Sequence, residues 1–180
     1  GISERFLIPA LEQLLDQFPF TIKGFHSDNG SEYVNKRVAE LLEKLRAEFT
    51  KSRSRHSNDN ALAESKNAAV VRKFYGHAHI PKHYAGQIDQ LNKQEIYRYL
   101  NFHRPCYFPV IETDKKGKQR KTYPYKAMMT PFEKLKSLSK IDDYLKASVS
   151  IEQLEAFSYE MTDNEAAEQL NIARRKLFKT

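Results

Sequence analysis

Apolar residues recur at two different spacings along the chain, and the alternation between them predicts the order of elements. Leu7, Leu11, Leu14, Leu15 and Phe18 fall three or four apart. That spacing predicts a helix over 4–18, with Pro9 near its start or at a kink. Residues 20–27, Phe-Thr-Ile-Lys-Gly-Phe-His-Ser, read as a strand. Asp28-Asn29-Gly30 ends it, because Asn-Gly favours turn backbone. Val34, Val38, Leu41, Leu42 and Leu45 give a helix over 34–47. Phe49 to Arg53 reads as a short strand and Arg55 to Asp59 as polar loop. Asn58 or Asn60 can then cap a helix running to about residue 77. Helix, strand, helix, strand, helix is the alternation of an α/β fold, with parallel strands covered by helices.

A second stretch follows. Ile88, Leu91, Ile96, Tyr99 and Leu100 form the apolar face expected of a helix over 84–102. Residues 107–113 and 119–125 can pair as a hairpin around Asp-Lys-Lys-Gly-Lys, and Thr130-Pro131 opens a short helix. Ser150 with Gln153 and Thr162 with Glu165 have capping-box spacing. They predict helices over 151–159 and 163–178, the second with Ala167, Leu170, Ala173 and Leu177 inward. The expected division is 1–80, 81–138 with the basic hairpin, and a helical tail over 139–180 joined through a linker near 139–149.

Composition narrows the class. Of 180 residues, 40% are hydrophobic and 29% charged. Regular apolar spacing at that polarity fits a folded chain rather than a disordered one. The net charge is +7 and uneven: residues 1–140 carry 25 basic and 15 acidic side chains, and residues 141–180 carry five and eight. Dense basic clusters lie at 51–55 and 115–126. Each reads equally as a solvated loop or as a set of phosphate contacts, and two in one basic chain tilt towards a polyanionic partner. No apolar run is long enough to span a membrane, and no leader pattern opens the chain. Cys106 is the single cysteine, which excludes an internal disulfide and a Cys-based zinc finger. A reduced, cytoplasmic setting is expected.

Two carboxylates stand out by position. Asp28 falls where a strand ends, and ligands of open α/β sheets gather at the carboxyl ends of strands. Glu64 falls in the first turns of the next long helix. A parallel crossover returns the chain to the same edge of the sheet, so the two can lie side by side. Paired there, they would repel unless a cation lay between them, and hard oxygen ligands select Mg²⁺ or Mn²⁺. Each also has an ordinary account. An Asp before Asn-Gly suits a turn, and a Glu near a helix start suits the helix dipole.

The surrounding residues separate these accounts. His26-Ser27-Asp28-Asn29-Gly30-Ser31-Glu32-Tyr33 and Ser57-Asn58-Asp59-Asn60-Ala61-Leu62-Ala63-Glu64-Ser65 together resemble the Asp-35-Glu half of the retroviral-integrase (DDE) superfamily. The bacterial insertion-sequence transposases are the subgroup most like it. Tyr99-Leu-Asn-Phe-His-Arg104-Pro105 and Met129-Thr130-Pro131-Phe132 resemble the signatures that follow that family's catalytic helix. The resemblance covers about residues 1–137. It implies a ribonuclease H-like α/β integrase-core fold, incomplete at the N-terminus and followed by a helical and hairpin extension. It also implies metal-dependent DNA cutting and strand transfer, with Asp28 and Glu64 as catalytic and metal-binding residues, Mg²⁺ or Mn²⁺ as cofactor, and transposon ends and target DNA as partners. The family's first Asp lies on an earlier strand. This chain is therefore expected to be a fragment with two of the three carboxylates, inactive or nearly so by itself. A DNA-binding or regulatory truncated product is the alternative. The edge left by the absent strand leads to the expectation of a homo-oligomer.

Candidate DNA contacts lie around the carboxylates. Lys51, Arg53, Arg55, His56 and Asn60 precede Glu64, and Arg72 and Lys73 follow it on the same predicted helix, with Arg72 near the Glu64 face. His26, two residues before Asp28, shares its strand face and reads first as a core histidine. The hairpin over 115–126, with Tyr123 and Tyr125, either grips DNA or is a solvated turn. Cys106 reads as structural.

Overall fold

The computed structural model of the chain describes residues 4–27, 36–44, 48–51, 65 and 67–178. They fall into two compact units, residues 1–80 with 144–146, and residues 81–143 with 147–180.

The first unit contains α1 (Glu4–Gln17), β1 (Gly24–Ser27), α2 (Lys36–Lys44), β2 (Glu48–Lys51) and α3 (67–75). Pro9 lies inside α1, in its second turn, past the four N–H groups that need no intrahelical partner, so it costs the helix one hydrogen bond. Leu11 and a fully buried Val38 form the core, with Leu7, Ile8 and Phe25 packed against them. Burial of α1 therefore centres on its first three turns. Leu14, expected inward, is 41% exposed. β1 and β2 pair in parallel, as the alternation predicts, with Gly24, Phe25, His26 and Ser27 opposite Glu48, Phe49, Thr50 and Lys51.

The strand expected over 20–27 is split. Its first residues bond elsewhere: Phe20 bridges antiparallel to Leu145, the Thr21 N–H donates to the Tyr144 carbonyl at 2.7 Å, and the Lys146 N–H donates to the Pro19 carbonyl at 3.0 Å. The Lys146 ammonium reaches on to the carbonyls of Leu15 and Asp16 at the end of α1. That helix has no basic residue in its own last turn, so Lys146 supplies the cation its dipole favours there. α3 begins with wide, π-type turns over Asn67–Arg72 and continues through Lys73–Tyr75. It stops at Gly76, whose φ of +77° is ready for glycine and strained for other residues.

The second unit is built on α4 (85–103), which follows a tight turn at Lys82–Tyr84. Two short antiparallel pairs come next. β3 (Cys106–Tyr107) pairs with β6 (Met128–Met129), and β4 (Val110–Thr113) pairs with β5 (Gln119–Thr122). Then come α5 (Pro131–Lys136), α6 (Ile151–Tyr159) and α7 (Asp163–Leu177). Each of the last three helices opens on a complete capping box, at Thr130, Ser150 and Thr162. Cys106 is a half-buried free thiol.

The inward face of α4 differs from the one its spacing predicts. Leu91, Ile96, Phe102 and His103 are buried, while Tyr99 and Leu100 are only half-buried. Wide turns over Asn92–Ile96 and Tyr99–His103 take more than the usual 3.6 residues each, so the apolar stripe slips to later residues. On α7, Ala166 and Leu170 are buried, whereas Ala167 is half-buried. The Phe102 ring lies 5.1 Å from the Phe132 ring of α5 and 5.0 Å from the Phe157 ring of α6, the latter edge-on. α7 packs along α4. The helices of residues 147–180 fall in this unit with α4, and residues 144–146 belong to the first unit. Among the described residues no helix is long and apolar enough to cross a membrane.

Leu170 is 2% exposed, whereas Ile172 on the same helix is 42% exposed. Leu170→Ala should cost about 2–4 kcal/mol of unfolding free energy through reduced burial and a residual cavity. Ile172→Ala should cost under about 1 kcal/mol. Urea unfolding followed by circular dichroism measures both.

Candidate metal and nucleic-acid site

The parallel pair sets the local geometry. β1 ends at Ser27, which lies opposite Lys51, the last residue of β2. Both strands therefore finish at one edge, and Asp28 is the residue bonded directly after Ser27. Glu64 directly precedes Ser65, the first described residue of the helical stretch that leads into α3. Asp28 and Glu64 themselves lie outside the described residues. So do Arg53, Arg55, His56 and Asn60. Lys51 is placed by its backbone at the end of β2, and His26 lies opposite Thr50.

Arg72 closes the wide turns of α3, and its carbonyl accepts the Gly76 N–H at 2.9 Å. Arg72 and Lys73 are both exposed, as phosphate-contacting side chains need to be. Among the described residues no three His, Cys, Asp or Glu side chains are grouped to hold a metal ion. The candidate ligands are a different set, two carboxylates whose hard oxygens suit Mg²⁺ or Mn²⁺ by donor chemistry.

The second unit holds a feature that sequence reasoning passed over. His103 Nδ1 lies 3.0 Å from an Asp163 carboxylate oxygen, with the His103 side chain 2% exposed. Its Nε2 is buried and has no hydrogen-bond partner among the described residues. The pair borders a cavity of about 550 Å³ lined also by Phe102, Thr130, Glu133 and Lys136. Nε2 is sealed from solvent, so the pair anchors the end of α4 to the first turn of α7 rather than presenting a base to a ligand. The signal available in the sequence was a histidine beside Phe102 at the close of an apolar helix. Its partner lies 60 residues further on.

Arg98 makes a parallel link. Its Nη2 donates to the Phe157 carbonyl at 2.6 Å and to Glu160 at 2.8 Å, with the guanidinium 4.0 Å over the Phe157 ring. Burial raises the Tyr97 phenol to about 12.

The basic hairpin forms with a shorter pairing than expected. Val110, Ile111, Glu112 and Thr113 lie opposite Thr122, Lys121, Arg120 and Gln119. The turn is held by the Asp114 carboxylate, which accepts the Lys116 and Lys118 N–H groups at 2.8 and 3.0 Å. Gly117 at φ +77° completes it.

No family model matches the chain, and no solved structure matches it. A curated protein of Sinorhizobium fredii (strain NBRC 101917 / NGR234), described as "Uncharacterized protein y4rM", is 38% identical to it over 74 residues, 41% of this chain and 21% of that protein. The matched part thus spans about a fifth of that relative's length.

At the rim of the cavity, Glu165 is held below the usual carboxylate range, first by the Thr162 backbone N–H and then by its hydroxyl. A depressed carboxylate stabilises the fold above its unfolded pKa, and that contribution is lost as pH falls through the folded value. Glu165→Gln should therefore lower the melting temperature at neutral pH. The difference from the parent should begin to narrow below about pH 4.3, where glutamate protonates in the unfolded chain, and close only once pH falls below the depressed folded value. Thermal melts from pH 3 to pH 7 measure it.

Proposed function

We propose that this chain serves DNA transposition as part of the catalytic core of a DDE transposase of the retroviral-integrase superfamily, with a ribonuclease H-like fold. One observation carries the reading. The residue before Asp28 closes a strand paired in parallel register with β2, and β2 leads towards Glu64. Two residues of the Asp-35-Glu motif thus belong to segments that leave the sheet from one edge. The motif resemblance supplies the chemistry.

In this reading Asp28 and Glu64 hold Mg²⁺ or Mn²⁺. When bound, the metal supplies activation of a water or 3′-hydroxyl and charge stabilisation at a phosphodiester. Lys51, Arg53, Arg55, His56, Asn60, Arg72 and Lys73 hold the DNA backbone in line. The second reading, a DNA-binding or regulatory product without catalysis, is favoured by the exposed cations of the β4–β5 hairpin. The two readings part over metal, which the first requires and the second ignores.

Titration calorimetry with Mn²⁺ tests the first. The chain should bind Mn²⁺ weakly, at two carboxylates rather than three. Asp28→Asn and Glu64→Gln should each abolish the heat, while Asp16→Asn on α1 leaves it unchanged. Equal binding by all four proteins excludes the site.

A second copy of the chain is the other expected partner. Among the described residues β1 pairs with β2 and no other strand, and an open strand edge is a template for pairing. Sedimentation velocity at micromolar concentration should show a dimer or larger species. A single monomeric boundary across a hundredfold concentration range refutes it.

A further inference from the structure

We propose that the β4–β5 hairpin is a DNA-backbone arm, separate in sequence and in chemistry from the carboxylate site. It rests on the transposase reading only for the identity of its polyanion. Between Val110 and Thr122 the chain carries Lys115, Lys116, Lys118, Arg120 and Lys121 against Glu112 and Asp114. Asp114 is already engaged by two backbone N–H groups of the turn. It therefore shapes the tip that presents the lysines. Arg120 lies opposite Glu112 in the register. Among the described residues, none of the five cations takes part in an ion pair.

The arm has no inward face. All four residues of β4 and the first three of β5 are exposed, and Ile111 is 61% exposed. A hairpin built for packing would bury one side of its ladder. This one presents Ile111, Thr113, Gln119 and Lys121 on one side and Val110, Glu112, Arg120 and Thr122 on the other. Exposed tyrosines flank it in the chain, Tyr107 before and Tyr123 and Tyr125 after, at 52%, 56% and 80% exposure.

Charge and shape select the partner. Five unpaired cations on a ribbon only two strands wide, about 5 Å between backbones, match a nucleic-acid groove about 12 Å across and its phosphate walls. Lysines on a turn hold phosphates as point charges and read no base. The recognition is therefore of backbone rather than of sequence. The flanking tyrosines add rings that can lie against sugars or frayed bases.

The test uses the full chain and a fluorescein-labelled duplex of random sequence, with anisotropy read from low to high KCl. The variant K115Q/K116Q/K118Q/R120Q/K121Q should bind at least tenfold more weakly. Its log-affinity against log-salt slope should fall by roughly 2 to 4, at about 0.9 for each phosphate that is no longer neutralised. The tip variant K115Q/K116Q/K118Q should fall between it and the parent. Circular dichroism should stay unchanged, since every substituted side chain is exposed.

Asp16→Asn on α1 should keep the parental slope. A silent Mn²⁺ titration alongside an arm-dependent slope would then remove the catalytic reading and leave the arm standing. Unchanged affinity and slope in the five-site variant would overturn the arm. So would arm-dependent binding to phosphatidylserine vesicles with none to DNA.

Discussion

The parallel pairing of β1 with β2 is the constraint on which the geometry of the first unit depends. Parallel neighbours cannot be joined by a tight turn. The chain that leaves β1 must travel back the length of the strand before β2 can begin. Nine residues of α2 cover about 13.5 Å of helix, and four residues of β1 cover about 13 Å of strand. The return path therefore matches the outward one. Val38, fully buried on α2 against Leu11 of α1, fixes where that path lies. With the crossover held, Ser27 and Lys51 end side by side. Whatever the chain does at Asp28 and after Lys51, it starts from the same edge.

The second unit meets a different constraint. Its aromatic core packs the Phe102 ring about 5 Å from those of Phe132 and Phe157. Polar groups carried inside add directed contacts. Arg98 reaches the Phe157 carbonyl and Glu160 at the end of α6, and His103 reaches Asp163 at the start of α7. The cost is visible in two buried nitrogens, Arg98 Nε and His103 Nε2, that have no hydrogen-bond partner among the described residues. Removing either partner would leave a buried polar group unpaired. The two links therefore hold α6 and α7 in one position along α4.

Local signals were legible in the sequence, and distant ones were not. Thr130, Ser150 and Thr162 each face a Glu or Gln three residues on, and all three boxes form because their partners are within one turn. The hairpin turn was legible for the same reason, since Asp114 and Gly117 settle it among themselves. The strand at 20–27 departs from its pattern in its first half because Phe20 takes its partner from Leu145, which no local pattern reports. The face of α4 departs from its spacing because wide turns break the 3.6-residue period on which such a reading relies. Position leaves Asp28 and Glu64 ambiguous between turn, dipole and ligand roles. The motif around them, not periodicity, singles them out.

The same pairings decide how the net charge of +7 is distributed. The tail after residue 140 is acidic in composition, yet four of its eight carboxylates are engaged within the unit. Glu155 meets Lys136, Glu160 meets Arg98, Asp163 meets His103 and Glu165 caps α7. These contacts hold helices together. The hairpin is arranged the other way, with one of its two carboxylates turned inward on its own turn and its five cations unpaired among the described residues. Composition counts both segments by formal charge. The hydrogen bonds separate acids that build the fold from arm cations that remain available to a ligand.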